Sequence, residues 1–125
     1  MKIMIQSSSM VPIYEQIVEQ IKALILNGTL KENDALPSVR SLSKDLRISA
    51  LTVKKAYDFL EEEGLTVTVH GKGTYVAHPD SSRLLEEYQK EIEETLETAF
   101  RKGKQYVLSR EELTEMAELI LDDVF

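Results

Sequence analysis

The chain contains no cysteine. This excludes disulfides, thiolate nucleophiles and zinc or iron–sulfur sites built on cysteine, and it fits a reducing compartment. Long hydrophobic runs are missing too. The longest are a few residues, such as Leu24-Ile25-Leu26, so no segment is expected to span a bilayer and no membrane partner is expected. The opening Met1-Lys2-Ile3-Met4-Ile5-Gln6 lacks the apolar stretch and small-residue cleavage site of a signal peptide. A cytoplasmic location is the expectation. There is no glycine-rich phosphate loop, no nucleophile elbow and no Ser/His/Asp constellation, and neither internal repeats nor low-complexity tracts occur. The two histidines, His70 and His78, have no carboxylate at ligand spacing, which disfavours His70 as a zinc ligand. No catalytic residues, metal or cofactor are expected. The chemistry that remains is binding.

What is present is a chain of 125 residues, 42% hydrophobic and 30% charged, long enough for one ordinary domain or two small ones. Its net charge is −7 and its isoelectric point about 4.9, which taken alone disfavours nucleic acid. The charge is unevenly spread. Residues 1–79 hold nine Lys/Arg and nine Asp/Glu, whereas residues 80–125 hold six and thirteen. Between 38 and 57 the bases Arg40, Lys44, Arg47, Lys54 and Lys55 face a single acid, Asp45. Screening over about 8 Å at physiological salt lets such a local basic face act although an acidic segment lies elsewhere.

Residues 1–11 read as an N-terminal arm, partly extended, with Ser7-Ser8-Ser9 as a flexible stretch. Pro12 suits the first turn of a helix whose stripe is Ile13, Ile17, Ile21, Leu24 and Ile25, and Asn27-Gly28 ends it. Residues 29–35 read as a loop. Ser38 caps a short helix bearing Val39, Leu42 and Leu46. After the turn Arg47-Ile48, Ser49 caps a second helix whose buried face is Val53, Ala56, Tyr57 and Leu60, ended by Gly64. Leu65 to Val69 alternates Leu, Val and Val with Thr, a half-buried strand pattern, and Gly71 and Gly73 allow a turn into the strand Thr74–Ala77. Helix, tight turn, helix and basic hairpin make a winged helix-turn-helix, whose second helix enters a major groove.

Pro79-Asp80-Ser81-Ser82 marks the domain boundary. Beyond it Leu84, Leu85, Tyr88, Ile92, Leu96, Ala99 and Phe100 recur at helical spacing, a long amphipathic helix of roughly five turns that Gly103 is expected to end. Ser109 and Glu112 form a capping box for a last helix with Leu113, Ala117, Ile120, Leu121 and Val124. The expected fold is mainly α with a small β-hairpin wing: a winged helix-turn-helix DNA-binding domain over residues 1–79, then a two-helix dimerisation segment over residues 80–125.

Leu36-Pro37-Ser38-x-Arg40, Leu42, Leu46, Ile48-Ser49, Thr52-Val53, Ala56, Leu60, Glu63-Gly64-Leu65 and Gly71-Lys72-Gly73-Thr74-Tyr75-Val76 together resemble the GntR family of bacterial transcription regulators. The opening Pro12-Ile13-Tyr14-x-Gln16-Ile17 fits as well. The short two-helix C-terminal segment resembles the YtrA-type subfamily. Ala50 and Leu51 depart from the pattern, since many relatives carry Arg or a polar residue there, which weakens the transfer of base preference but not of the fold.

The resemblance makes Arg40 a DNA contact, whose planar guanidinium suits phosphate or guanine; the competing reading is a surface pair with Asp45. Ser38, Ser49, Ala50 and Thr52 sit at helix starts, where hydroxyls and free N–H groups meet phosphates, although Ser49 also serves as a plain N-cap. Lys54 corresponds to a basic contact in relatives and Lys55 follows it, with a solvated face as the alternative for both. His70, Gly71 and Lys72 form the wing tip, where glycine permits close backbone approach to DNA. Tyr57, Phe59 and Tyr75 read as packing residues rather than base-stacking platforms. The acidic runs read as solvated helix faces.

A 46-residue segment seldom buries enough surface to stand alone, so Leu84, Leu85, Tyr88, Ile92, Leu96, Phe100, Leu113, Ile120 and Leu121 are the expected dimerisation face, against the alternative that they fold back in a monomer. The implied function is a sequence-specific transcription regulator, a repressor by the simplest mechanism, binding a palindromic double-stranded DNA operator as a homodimer. The alternative is a winged-helix protein-interaction module without DNA binding. A small-molecule effector, of no assigned identity, is left open, between the C-terminal helices and the winged domain, with Tyr88, Phe100 and Tyr106 as its candidate lining.

Overall fold

A computed structural model of the chain describes residues 1–78 and 81–125. Pro79 and Asp80, half of the expected boundary, lie outside the described residues. Two compact units result, Met1–Ser81 and Ser82–Phe125.

The first unit holds three helices, α1 (Ile13–Leu26), α2 (Val39–Leu46) and α3 (Ala50–Glu62), and a hairpin of β1 (Thr66–Val69) and β2 (Gly73–Val76). α3 is the hub, packing against α1, α2 and β1. Ile17, Val18, Ile21 and Ile25 of α1, Leu42 of α2 and Val53, Ala56, Tyr57 and Leu60 of α3 form the core with Leu36, Leu65 and Val76. Each fully buried aliphatic side chain contributes about 1.5–3 kcal/mol relative to exposure.

Pro12 stands one place ahead of the expected first turn, as the N-cap residue of α1. The arm before it is not free. Met4 exchanges two hydrogen bonds with the Gln20 side chain, its N–H donating to Oε1 at 2.9 Å and its carbonyl accepting from Nε2 at 2.7 Å. Gln16 treats Gln6 in the same way, at 2.9 and 3.1 Å. Two glutamines one turn apart thus stand in for a neighbouring strand, and they bring Ile3 into the core.

The loop before α2 also pairs. Asn33 N–H donates to the Val76 carbonyl at 2.8 Å, Val76 N–H to Asp34 at 2.8 Å and Leu36 N–H to Thr74 at 2.9 Å, so this stretch edges β2 through an isolated antiparallel bridge between Ala35 and Tyr75. The hairpin pairs Thr66 with Val76 and Val69 with Gly73. Its expected inward face is corrected. Leu65 is buried, but Val67 and Val69 are exposed and Thr66 is buried, with its hydroxyl lacking a partner. The hairpin projects past the three-helix core, so its outer half has nothing to lie on.

The second unit is two helices, α4 (Ser81–Gln105) and α5 (Arg110–Val124). α4 has 25 residues, about seven turns rather than five. Gly103 does not end it. The helix runs through this glycine and closes at Val107, left-handed at φ 68°, where Leu108 N–H donates back to the Gly103 carbonyl at 3.0 Å. Gly103 lies close against α5: a Cβ there would lie 2.5 Å from Leu113 Cδ2, so the end of that side chain would have to shift. Close helix approach offsets the roughly 1 kcal/mol propensity penalty of an internal glycine. The Ser109–Glu112 capping box is formed in both directions.

Candidate nucleic-acid interface

Two caps shape the helix-turn-helix. Ser38 Oγ accepts from Ser41 N–H at 3.0 Å, and Ser49 Oγ from Thr52 N–H at 3.1 Å. Arg47 turns the chain in the left-handed region, at φ 57°, and Ile48 N–H donates to Ser43 at 3.1 Å. The buried Tyr57 hydroxyl donates to the Pro37 carbonyl at 2.7 Å, tying α3 to the residue before the α2 cap. Burial pushes its phenol well above the ordinary tyrosine range. Tyr57 is therefore a packing residue, as expected. Phe59 is partly exposed, with Lys22 Nζ 5.5 Å from its ring centre, and Tyr75 is half-buried.

The same scaffold presents Ser38, Arg40, Ser49 and Ala50 exposed and Thr52 half-buried. The side chains of Arg40, Lys44, Arg47 and Lys72 make no ion pair among the described residues; the Arg40–Asp45 pair does not form. Two lysines are engaged. Lys54 Nζ lies 2.8 Å from Asp58 Oδ2, one turn along α3, and this hydrogen-bonded carboxylate holds its ammonium above the usual lysine range. Lys55 Nζ sits 4.1 Å above the Tyr14 ring centre, a cation–π contact to α1. The first pairing was legible in the i, i+4 spacing. The second needs the α1–α3 packing.

At the wing tip His70, Gly71 and Lys72 are exposed, and Gly71 takes φ 77°, which a side chain would strain. Lys72 N–H closes the turn to Val69 at 2.9 Å. Among the described residues no group of three His, Cys, Asp or Glu side chains is placed to hold a metal ion, and no helix is long and apolar enough to cross a membrane.

In the second unit Leu84 is buried and Tyr88 and Leu113 are half-buried, while Leu85, Ile92, Leu96, Phe100, Ile120 and Leu121 are exposed. An open groove of about 680 Å³ runs between α4 and α5, lined by Phe100, Leu108, Leu113 and Ala117 with Lys104, Arg110 and Thr114. Phe100 is the only one of the three proposed effector-lining residues in it.

Two capped helices, an arginine on the first with no ion pair among the described residues, and a glycine-turned wing bearing Lys72 are the form of a DNA-binding transcription regulator. Comparison with known proteins agrees. The family model "Bacterial regulatory proteins, gntR family" matches residues 13–76. The transcriptional repressor YtrA of Bacillus subtilis is 38% identical over 98% of this chain and 94% of its own length. Among solved structures, a transcriptional antiterminator from Listeria monocytogenes superposes with a TM-score of 0.70 at 30% identity, covering 99% of this chain and 92% of that one. The AraR DNA-binding domain in complex with operator ORX1 superposes at 0.55 and 30% identity, over 61% of this chain and 95% of that one. The chain belongs to the GntR family of bacterial regulatory proteins.

Proposed function

We propose that this protein represses transcription as a homodimer, each protomer placing the N-terminal turn of α3 in a major groove of a palindromic operator. In this reading residues 1–79 are the DNA-binding domain and residues 80–125 the dimerisation domain. Arg40, Ser38, Ser49, Thr52 and Lys54 meet the groove and its phosphates, and His70, Gly71 and Lys72 meet the adjacent backbone. Lys55 contributes field more than contact, because Tyr14 holds it. The cytoplasm is where such an operator is met.

The observation that carries the dimer is the missing core of the second unit. No residue of α5 is buried, and every residue of α4 from 91 to 100 is exposed, though the stripe Ile92, Leu96 and Phe100 is apolar. Two helices with so little mutual burial do not hold together in water. A second copy presenting the same stripe covers both, and two-fold pairing is the commonest arrangement. We assign the α4–α5 groove to that copy rather than to a small effector. Linking two recognition helices raises affinity through effective concentration.

Sedimentation velocity and fluorescence anisotropy with a selected operator duplex test both parts. The wild type is expected to sediment as a dimer at micromolar concentration and to bind. Ile92→Glu is expected to sediment as a monomer and lose at least a hundredfold in affinity, of the order that linkage provides. Arg40→Glu is expected to remain dimeric and lose binding. A wild-type monomer that still binds tightly would overturn the dimer, and Arg40→Glu binding unchanged would overturn the interface.

A further inference from the structure

Leu51 is 79% exposed at the second position of α3. One exposed leucine needs no explanation by itself; its position does. Val53, Ala56, Tyr57 and Leu60 face the core. At 100° per residue Leu51 lies about 200° from Val53, so it points directly away from the core. Ala50, also exposed, precedes it. The leading edge of the helix is therefore apolar, while Lys54 and Lys55 stand one turn on, and Arg40 of α2 makes no ion pair among the described residues. The charge selects a polyanion. The apolar tip selects something on that polyanion that makes no hydrogen bond.

The major-groove edge of a base pair offers one such group, the 5-methyl of a pyrimidine. We propose that Leu51, supported by Ala50, reads a 5-methylpyrimidine, thymine in unmodified DNA, at one fixed position of each half-site. This rests on the interface proposed above and names its specificity. Where an arginine at the helix start would form a bidentate pair with guanine, leucine leaves guanine and cytosine unsatisfied and rewards the methyl group. Substituting Leu51 does not disturb the fold, because the side chain is solvated and alanine is the better helix former.

The full-length protein is tested on sites selected from random duplexes. Wild-type selection is expected to return an invariant thymine in each half-site, and Leu51→Ala selection to lose that preference. Replacing this thymine by deoxyuridine removes only the methyl group. It is expected to weaken the wild type about fourfold per half-site, roughly fifteenfold for both, as burial of one methyl group implies. Leu51→Ala is expected to bind both duplexes equally. Placing 5-methylcytosine against guanine there is expected to bind the wild type better than cytosine. If the wild type binds its operator but tolerates deoxyuridine at every thymine, this inference fails and the interface stands. If no duplex is bound at all, the interface fails with it. Operator affinity unchanged in Leu51→Ala together with lost repression in reconstituted transcription assigns the leucine to a protein partner and overturns the inference.

Discussion

Asp58→Asn should tighten DNA binding, although it removes an ion pair. Asp58 lies one turn beyond Lys54 on α3 and holds its ammonium at 2.8 Å. Both side chains are more than half exposed, 61% and 56%, so the pair adds little to stability, and α3 stays anchored by Val53, Ala56, Tyr57 and Leu60. In the complex the same ammonium must choose between the carboxylate and a phosphate, and the carboxylate itself repels the backbone. The amide of the variant removes both obstacles while keeping size and shape. If each protomer then neutralises one further phosphate, the slope of log K against log salt steepens by about 0.9 per phosphate, or about 1.8 for a dimer. Over the fourfold span from about 50 to 200 mM salt, the ratio of affinities at the two ends should therefore grow about tenfold over wild type. Anisotropy titrations at four or five salt concentrations measure it. Lys54→Ala should flatten the slope, and Asp58→Asn added to Lys54→Ala should change it little, since the coupling runs through one pair. A slope indifferent to Asp58→Asn would mean that Lys54 does not reach DNA.

Tyr57→Phe leaves the Pro37 carbonyl without its donor and should cost about 1–2 kcal/mol, seen as a melting temperature lower by about 5–10 °C; unchanged melting would show the bond to be incidental. Because burial raises the Tyr57 phenol above its ordinary value of 10.0, folding stability should hold below that pH and fall as pH rises beyond it. In a spectrophotometric titration this one of the five tyrosines should ionise only as the protein unfolds. Gly103→Val should destabilise the second unit by about 1–3 kcal/mol through overpacking against Leu113, while Gly103→Ala stays near neutral because the Leu113 methyl can rotate aside. Equal melting of all three forms would rule out close contact at this crossing.

Local physics was legible in the chain. The caps at Ser38, Ser49 and Ser109, the apolar stripes of α1 and α3, the glycine turn of the wing and the local surplus of basic charge all depend on neighbours within a few residues, and sequence spacing encodes these directly. Where the outcome depended on what lies opposite, it did not. Gly103 reads as a helix terminator by propensity, but α5 approaches it and makes it an internal clearance. Val67 and Val69 alternate like a buried strand, but the hairpin overhangs the core and leaves them in water. Lys55 reads as a free cation until the α1–α3 packing sets Tyr14 beneath it.

The amino-acid order alone determined the element sequence, the winged architecture and the family, because periodicity, capping and turn chemistry act over one or two helical turns. Tertiary structure decided that Tyr14 holds Lys55 and that Gln16 and Gln20 bind the arm. Those outcomes follow from distances between segments far apart in the chain, and no short-range pattern carries them.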